Sequence, residues 1–367
     1  MKKLFALRTV LNRSTIGRMG TTMAGGYNDS SHAQYKSHTM SLPLLRLAVD
    51  RLSHLQPPPP IFNVADFGSA GGMNSVRTMN ALIPTIRPTG VPVQVSFSDL
   101  PTSDFNELIT TIASDEDLQS KICGYNVVGG SFYAPVYPPS SVHLALSFVT
   151  LHWMREAPPD AGELLGGNNC LVHEVGVPPE SVAAFRRIAM DGLVSFLRLR
   201  AKELVPGGEG IFSMTGGGSS DGSCTYLSAF ESKRIISKSI ARAVSSGSLP
   251  KDAMERAFVP LFRFTPRDIE TAVGEVEELA LGGIVQKTIH MAEGYPNSTL
   301  FSLFWSIHKN ALKDSIFAKH NEIGEAEREM MMWHLENHAR EVVDEHFTEC
   351  RGARCPYMAF SVTKKTG

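Results

Sequence analysis

The chain has 367 residues, a length that predicts about two domain-sized units, and 43% of its residues are hydrophobic, as in proteins with a large buried core. The formal net charge is −2 and the sequence pI is about 6.6, so no overall basic field favours nucleic acid as a partner. No run of about 18 apolar residues is present, which argues against a membrane partner. We therefore expect a soluble globular protein that acts on a small molecule.

Cysteine usage and the charge of the N-terminus bear on location. The five cysteines form no CxxC pair, which indicates a reduced, intracellular setting. Residues 1–28 carry five basic and no acidic residues, a pattern typical of an organellar transit peptide. Nothing marks a cleavage site, so a basic extension over residues 1–22 is the favoured interpretation. We expect a cytoplasmic protein, with an organellar location as the alternative.

The first predicted elements are helices and short apolar strands. A helix is expected over Met40–Leu55 and ends at the prolines of residues 57–60, because proline removes a backbone donor. A long helix is expected over Glu180–Leu204. Four segments have the continuous apolar character of strands buried on both faces: Ile61–Phe67, Pro92–Phe97, Val142–Val149 and Gly210–Thr215. This pattern predicts a parallel sheet with helical crossovers.

The composition changes after Thr215. A glycine- and serine-rich loop, Gly216–Ser223, leads into Tyr226–Ala257, which is predicted to be helical and to cover the sheet. Later elements are two adjacent strands, an amphipathic helix and a last strand, predicted at Glu277–Ile284, Gln286–Met291, Ile323–Phe347 and Tyr357–Val362. The predicted organisation has four parts. A basic extension covers residues 1–22, and an α/β core with an N-terminal substrate motif covers residues 23–215. A mainly helical cap covers residues 216–275, and residues 276–367 complete the core and the cap.

One strand is predicted to end in a ligand-binding turn. It ends at Asp66 and runs into Gly68-Ser69-Ala70-Gly71-Gly72, where the backbone can approach a ligand because glycine lacks Cβ. The dinucleotide fingerprint needs glycines two and five positions after Gly68, but these positions hold Ala70 and Met73, which weakens a dehydrogenase interpretation. A second strand ends at Asp99, whose carboxylate can accept both hydroxyls of a ribose. Together the two aspartates predict a ligand with an ammonium group and a ribose.

With these motifs in this order, the chain resembles the SABATH family of S-adenosylmethionine (SAM)-dependent methyltransferases, which methylate the carboxylates of small acids and, in some branches, ring nitrogens. The resemblance runs from about Met23 to the C-terminus. The segments that carry it are Met23-Ala24-Gly25-Gly26-Tyr27-Asn28, Ser31-His32-Ala33-Gln34, the donor loop from Ala65 to Ser75, Ser98-Asp99-Leu100-Pro101 with the residues up to Asn106, Gly130-Ser131-Phe132-Tyr133, Leu151-His152-Trp153-Met154, Phe258-Val259-Pro260 and Thr265-Pro266.

The resemblance implies a class I methyltransferase-like, Rossmann-type α/β sheet of seven mostly parallel strands with a helical cap. It also implies SAM as the methyl donor and a homodimer. The implied donor-site residues are Tyr27, Asp66, Gly68, Asn74, Asp99, Leu100, Ser131 and Phe132. Among these, Asp99 is implied to contact the ribose, and Ser131 and Phe132 are implied to lie near the adenine. Gln34 and Trp153 are implied to hold the substrate carboxylate, with His152 beside them.

Some positions differ from the commoner family pattern. Val149 replaces a frequent aromatic, and the opening motif is shorter, so the identity of the acid stays open. A metal site of some relatives would include an asparagine near Asn168, but the surrounding pattern is poorly matched, and we assign no metal.

These residue types suit the transfer of a methyl group to a carboxylate. A carboxylic acid with a pKa near ~4 is ionised at neutral pH and needs no general base. An amide N–H of Gln34 and the indole N–H of Trp153 can each donate to a carboxylate oxygen, and both groups are uncharged. Our hypothesis is that they orient the anion without quenching it as an arginine would. The expected product is the methyl ester of a small organic acid.

Structural interpretations of the same residues stay open. A lone tryptophan such as Trp153 is more often a core or rim aromatic, and Gln34 alone is more often an exposed amide. A lone histidine such as His152 is usually a hydrogen-bonded structural residue. Only the family context favours a role for these side chains in the site.

Other patterns predict other chemistry. Gly218-Ser219-Ser220-Asp221-Gly222 fits the G-x-S-x-G elbow of a serine esterase with Ser220 as nucleophile, although it lies in a flexible-looking loop. His334 and His338 have a metal-ligand spacing, but Leu335 stands where a zinc protease needs glutamate. A ring-nitrogen methyltransferase, and a protein that binds the donor without turnover, are the remaining alternatives.

Overall fold

The computed structural model describes residues 23, 28, 31–86, 90–158, 161–174, 176–217, 233–290, 297–346, 348, 350 and 354–366. Its centre is a seven-stranded sheet. In chain order the strands are β1 (Phe62–Phe67), β2 (Val93–Asp99), β3 (Gly124–Gly129), β4 (Val142–Ser147), β5 (Leu204–Thr215), β6 (Leu279–His290) and β7 (Arg354–Lys364).

Across the sheet the strands follow the order β3-β2-β1-β4-β5-β7-β6. β1 to β5 run parallel, and β7 is antiparallel to both of its neighbours, β5 and β6. The strand order therefore reverses between β1 and β4. In open α/β sheets, ligands bind beside such a reversal, outside the carboxyl ends of the strands. The order confirms the predicted α/β fold with a mostly parallel sheet of seven strands.

Twelve helices are described around this sheet. Those before β5 are α1 (His32–Met40), α2 (Leu42–Ser53), α3 (Met73–Ile86), α4 (Phe105–Ser114), α5 (Glu116–Lys121), α6 (Ala161–Leu164) and α7 (Pro179–Glu203). Those after β5 are α8 (Ile235–Ser245), α9 (Ala253–Arg256), α10 (Pro266–Gly274), α11 (Asn297–Ile316) and α12 (Glu325–Glu345).

Alternate residues of the central strands face two different apolar clusters. Val64 and Leu144 pack with α2, α3 and α4 on one face, and Ala65 and Ala145 pack with α7 and α10 on the other. Because both faces are covered, the central strands have the continuous apolar sequences that predicted them. A third cluster joins α8, α9, α11 and α12 into a separate helical layer. The domain boundaries drawn from the sequence stay a prediction.

The helix predicted over Tyr226–Ala257 is not continuous. Residues 218–232 lie outside the described part of the chain, and α8 ends before a turn of residues 246–252. In that turn Gly247 has φ +76°, and Pro250 lacks a backbone N–H, so the helix cannot continue through it. The chain becomes helical again only for the single turn of α9.

The two late strands predicted at 277–284 and 286–291 are one strand, β6. Its register with β7 shifts between Leu281 and Gly283, and pairing continues to His290. The strand β3 and the helix α11 were not predicted from the sequence. β3 is short, begins and ends with glycine and is only partly buried, so it lacks the apolar run that predicted its neighbours.

Candidate functional site

The turn after β1 brings the backbone of the donor loop against the end of β4. Gly68 has φ +87°, a conformation that favours glycine, and its N–H donates to the Ser98 carbonyl at 2.8 Å. A Cβ on Gly68 would lie 2.4 Å from Thr150 Cγ2. The turn then passes into α3, whose first residues face the same space. The loop is therefore shaped by the close approach of its backbone to Thr150, and its approach to a ligand stays a prediction.

Asp66 is the last residue but one of β1, next to this turn, and is 3% exposed. Burial raises the pKa of its carboxyl to about 6, although the Ser69 hydroxyl donates to Oδ2 at 3.0 Å. A carboxyl group with this pKa is largely ionised at pH 7 and favours a positively charged ligand group beside it.

Asp99, at the end of β2, is half-buried beside the same turn. Its carboxylate accepts hydrogen bonds from the backbone N–H of Ala70 at 2.7 Å, the backbone N–H of Leu100 at 2.7 Å and the hydroxyl of Ser103. A carboxylate has about four acceptor positions, so these three donors leave little further capacity. The protein thus fixes the Asp99 side chain before any ligand arrives.

The opening motif is attached directly to the donor loop. Asn28 donates from Nδ2 to the Gly71 carbonyl at 2.9 Å and accepts from the Met73 N–H at 3.3 Å. Asn74 donates from Nδ2 to the Ser31 hydroxyl at 3.0 Å, and its Oδ1 is buried with no hydrogen-bond partner among the described residues. This arrangement places α1, with Gln34, beside the start of α3.

Ser131 and Phe132 follow β3 and form another wall of the site. Ser131 is buried, and its hydroxyl accepts from the Tyr133 N–H at 3.2 Å. Arg200 on α7 is fully buried and donates from Nη1 to the Phe132 carbonyl at 3.0 Å. The guanidinium of Arg200 also lies 4.0 Å from the Phe67 ring centroid. A buried side chain of α7 therefore positions this wall.

The segment from Ser147 to Trp153 leaves β4 in an unusual conformation. Val149 has φ +57°, which is rare for a β-branched residue, and its N–H donates to the Ser213 carbonyl at 2.9 Å. Trp153 is buried, and its carbonyl accepts from the Tyr133 hydroxyl at 2.7 Å. The backbone of Trp153 also forms an isolated antiparallel β-bridge with Leu261, in the segment that precedes α10. These bonds hold His152 and Trp153 at the edge of the sheet.

His152 is neutral, and its tautomer follows from its hydrogen bond. Burial lowers its pKa to about 3, so the ring carries no charge at pH 7. The Thr215 backbone N–H donates to Nδ1 at 3.4 Å, so Nδ1 is the acceptor and the ring proton is on Nε2. His152 thus offers a third uncharged N–H donor and is a poor base.

Two adjoining cavities lie at this edge of the sheet. Ten of the eleven site residues predicted from the sequence line the first cavity: Gln34, Asp66, Gly68, Asn74, Asp99, Leu100, Ser131, Phe132, His152 and Trp153. The eleventh, Tyr27, lies outside the described residues, as does Ser220 of the esterase hypothesis. His334 and His338 lie on α12 and line neither cavity.

The second cavity shares a wall with the first. The residues common to both are Gln34, Val149, His152 and Ile307. One face of α11 provides much of the remaining surface through Leu300, Leu303, Phe304, Ile307 and His308, which follow the i, i+3, i+4, i+7 spacing of a helix. The cavity is mainly apolar, and sequence reasoning missed it because α11 was not predicted.

Gln34 lies in α1 between the two cavities and is 2% exposed. Its amide Oε1 is buried with no hydrogen-bond partner in the described part of the chain. Rotation of the amide by about 180° exchanges its oxygen and its N–H groups, so the side chain can present either a donor or an acceptor.

The described residues contain no group of three or more His, Cys, Asp or Glu side chains that could hold a metal ion. None of their helices is both long enough and apolar enough to cross a bilayer.

Comparison with known sequences shows which proteins this chain is similar to. The chain is 25% identical over 269 residues to the salicylate carboxymethyltransferase of Clarkia breweri, with 68% of this chain and 72% of the relative covered. It is 30% identical over 259 residues to Methyltransferase LUC1 of a Fusarium species, with 67% and 65% covered. It is 28% identical over 277 residues to the 3,7-dimethylxanthine N-methyltransferase CkTbS of Camellia sinensis var. assamica, with 68% and 72% covered.

The fold is similar to that of a solved loganic acid methyltransferase with SAH. The TM-score is 0.76 at 18% identity, and the similarity covers 94% of this chain and 99% of the other. A sequence model of the family described as SAM dependent carboxyl methyltransferase matches residues 16–362. Because this match spans most of the chain, the protein belongs to the SAM-dependent carboxyl methyltransferase family predicted from its motifs, and its methyl donor is SAM.

Proposed function

We propose that this enzyme forms the methyl ester of a small, largely apolar organic acid, and that the transfer takes place where its two cavities meet. The observation that carries the proposal is the shared wall. Gln34 and His152 face both cavities, and Trp153 faces the first. Only the first cavity has the glycine turn and the paired aspartates, and the lining of the second is the more apolar of the two. The first is therefore the proposed donor site, and the second is the proposed acceptor site.

The residues of the first cavity fit SAM. A buried carboxylate at Asp66 and an unpartnered Asn74 Oδ1 are acceptors for an ammonium group, and Gly68 lines the same cavity. Asp99 is the proposed ribose contact, through the acceptor capacity that its three protein donors leave. Ser131 and Phe132 are the proposed adenine contacts. SAM supplies an electrophilic methyl group on a positively charged sulfur.

The chain's contribution to the chemistry is positioning. Gln34, Trp153 and the Nε2–H of His152 are uncharged donors that we propose hold the acceptor carboxylate. A carboxylate needs no deprotonation at pH 7, so the low pKa of His152 is no obstacle. Placing the oxygen at about 3 to 3.5 Å from the methyl carbon supplies several kcal/mol through proximity. These three side chains are at most 6% exposed, and a dry site would strengthen their hydrogen bonds to the carboxylate.

A ring nitrogen is the second candidate acceptor, favoured by the similarity to an N-methyltransferase. Methylation of a ring N–H requires removal of a proton, and His152 is a weak base for this step because its pKa is about 3. The carboxylate is therefore the preferred acceptor. A homodimer and a cytoplasmic location stay predictions from the sequence.

The test is methyl transfer from labelled SAM to a panel of aromatic, terpenoid and fatty acids and of purines, with identification of the product. An alkali-labile label indicates an ester, whereas an alkali-stable label indicates a methylated nitrogen. Donor binding without transfer to any acceptor would support the non-enzymatic alternative and contradict the proposal.

A matched pair of variants tests the positions. Trp153→Phe is expected to lower kcat/KM for the acid by at least about tenfold while the Kd for the donor changes by less than about twofold. Trp333→Phe is the control, because Trp333 is 59% exposed on α12 and lines neither cavity. Equal losses of turnover and donor binding in Trp153→Phe would argue against its role.

A further inference from the structure

The first cavity contains a buried histidine beside Gln34. His38 lies one helical turn after Gln34 on α1, so the two side chains are on the same face of this helix. His38 is 7% exposed and lines the first cavity but not the second. Its ring stacks on that of Phe148, another residue of this cavity, with 4.4 Å between the ring centroids. The ring is therefore fixed in the wall of the proposed donor site.

Two hydrogen bonds of Thr78 determine where the proton of His38 lies. Burial lowers the pKa of His38 to about 3, so its ring is neutral at pH 7 and carries one N–H. The Thr78 hydroxyl donates to the Asn74 carbonyl at 2.8 Å, and a hydroxyl has only one hydrogen. Its oxygen must therefore accept in the second hydrogen bond, which joins it to His38 Nδ1 at 2.7 Å. The proton is on Nδ1, and Nε2 carries a lone pair.

The lone pair on His38 Nε2 is available to a ligand. No hydrogen bond joins Nε2 to any residue in the described part of the chain. A buried acceptor without a donor costs free energy, and a ligand with an N–H or O–H group would offset that cost. The reacting carboxylate of the acid has no hydrogen to donate, whereas SAM has several N–H and O–H groups. The chemistry of Nε2 therefore matches the donor and not the carboxylate.

Three parts of SAM can donate a hydrogen bond: the ribose hydroxyls, the adenine amino group and the ammonium group. The proposed contacts of the ribose and the adenine follow β2 and β3. His38 lies instead beside α3, where its partner Thr78 follows Asn74 by one helical turn. Asn74 Oδ1 and the Asp66 carboxylate are the proposed contacts of the ammonium group and line the same cavity as His38. The ammonium group is therefore the donor that the position of His38 favours.

We propose that His38 Nε2 accepts a hydrogen bond from the ammonium group of SAM, as a third acceptor beside the Asp66 carboxylate and Asn74 Oδ1. An ammonium group has three N–H bonds, so three acceptors satisfy it completely. This inference rests on the proposed function, because it takes the first cavity as the donor site. The ammonium group keeps its protons throughout methyl transfer, so His38 holds the donor in place and transfers no proton.

Calorimetric titration of the full-length protein tests this inference without turnover. The probes are S-adenosylhomocysteine and its deaminated analogue, in which a hydrogen replaces the amino group. The wild-type protein is expected to bind the amino compound more tightly, and His38→Phe should reduce this preference by at least about tenfold. The Kd for the analogue should change by less than about threefold. His38→Gln keeps an uncharged acceptor and should retain more of the preference than His38→Phe.

His143→Phe is the matched control. His143 is also buried, its ring stacks on that of Phe62 with 5.0 Å between the centroids, and its Nδ1 accepts from the Asn63 N–H at 3.0 Å. It lines neither cavity, so its substitution should leave the preference unchanged. Equal weakening of both ligands in His38→Phe would overturn the inference, because His38 would then serve only the packing of the cavity wall. A full preference in this variant would also overturn it.

Nitrogen NMR of the wild-type protein with 15N-labelled histidine is a second test and does not depend on the Phe variant. The Nε2 signal of His38, identified by its absence from His38→Gln, should shift when S-adenosylhomocysteine binds and shift much less with the analogue. Equal shifts would contradict the hydrogen bond. Methyl transfer is measured separately. A preference that depends on His38, without an ester product from any acid, would contradict the proposed function alone, whereas ester formation without that dependence would contradict this inference alone.

Discussion

The methyl group of Thr150 occupies the position that any side chain on Gly68 would need. A Cβ on Gly68 would lie 2.4 Å from Thr150 Cγ2, and both residues line the proposed donor cavity. The Thr150 hydroxyl is hydrogen-bonded to the Ser147 hydroxyl. The Ser147 hydroxyl in turn donates to the Phe67 carbonyl at 2.8 Å. The turn after β1 and the segment after β4 are therefore interlocked.

Gly68→Ala is expected to disturb this contact. A positive φ costs an alanine about 1 kcal/mol, and overpacking against Thr150 adds about 1 to 3 kcal/mol. We expect a lower free energy of unfolding in urea and donor binding weaker by at least about tenfold. Gly90→Ala is the matched control, since Gly90 has φ +70° and no atom of the described residues, its chain neighbours aside, lies within 4 Å of its Cβ position. Equal effects of the two substitutions would show that the contact is unimportant.

Asp66→Asn is expected to stabilise the ligand-free protein and to weaken donor binding. The folded pKa of about 6 lies above the ordinary 3.8, so the unfolded chain loses this proton at a lower pH than the folded protein does. Burying the ionised form therefore costs stability as pH rises from about 4 through 6. At pH 8 the substitution should raise the free energy of unfolding by about 1 to 3 kcal/mol, and this gain should vanish near pH 4. A gain independent of pH would contradict this origin.

Donor affinity of the wild-type protein should follow the same carboxyl group. A bound ammonium group favours ionised Asp66, so the Kd should rise as pH falls below about 6, by up to about tenfold per pH unit. Titration calorimetry between pH 8 and pH 5 measures this change. Asp66→Asn should remove the pH dependence, and an unchanged slope in that variant would assign it to another group.

His152 is predicted to act through an N–H group and not through its basicity. His152→Gln keeps an uncharged N–H donor and should retain more of the kcat/KM than His152→Phe, which removes the donor and keeps a ring. A difference of about tenfold is expected. The pH profile of the wild-type rate should show no histidine titration near pH 6.5, because the pKa of His152 is about 3. A rate that falls through pH 6.5 and becomes flat in His152→Gln would contradict this role.

Val149→Gly and Val149→Ala form a test of backbone strain. Val149 has φ +57°, where a β-branched residue costs about 1 to 2 kcal/mol and glycine costs little. Both substitutions remove similar packing, so the glycine variant should be more stable than the alanine variant by about 1 kcal/mol in urea. At an ordinary strand position, a glycine variant is less stable than an alanine variant. Because Val149 lines both cavities, the KM for the acid should rise in each variant.

Continuous apolar runs made the central strands predictable. β1 and β4 are covered on both faces, so their sequences carry the signal of burial directly. β3 lies at the edge of the sheet and is only partly buried, and its sequence carries no such signal. The interruption between α8 and α9 depends on a positive φ at Gly247, which glycine permits and does not require.

The donor side of the site was accessible from sequence because its residues follow strand ends in recognisable motifs. Asp66 and Asp99 end neighbouring strands and meet at one edge of the sheet. The acceptor side was not accessible in the same way. Arg263 and Thr215 line the second cavity, but Arg263 stands between two phenylalanines in the sequence, and only the bridge between Gly216 and Phe264 brings it beside Thr215. The strain at Val149 likewise depends on tertiary hydrogen bonds to Ser213.

One face of α11 supplies the side chains at 300, 303, 304, 307 and 308 of the proposed acceptor cavity, whereas the proposed donor cavity is built mainly from strand ends and their loops. Mutations that alter acid preference can therefore accumulate on a single amphipathic surface without touching the turn at Gly68. Substitutions on this surface are expected to change which acid fits while the requirement for SAM is kept.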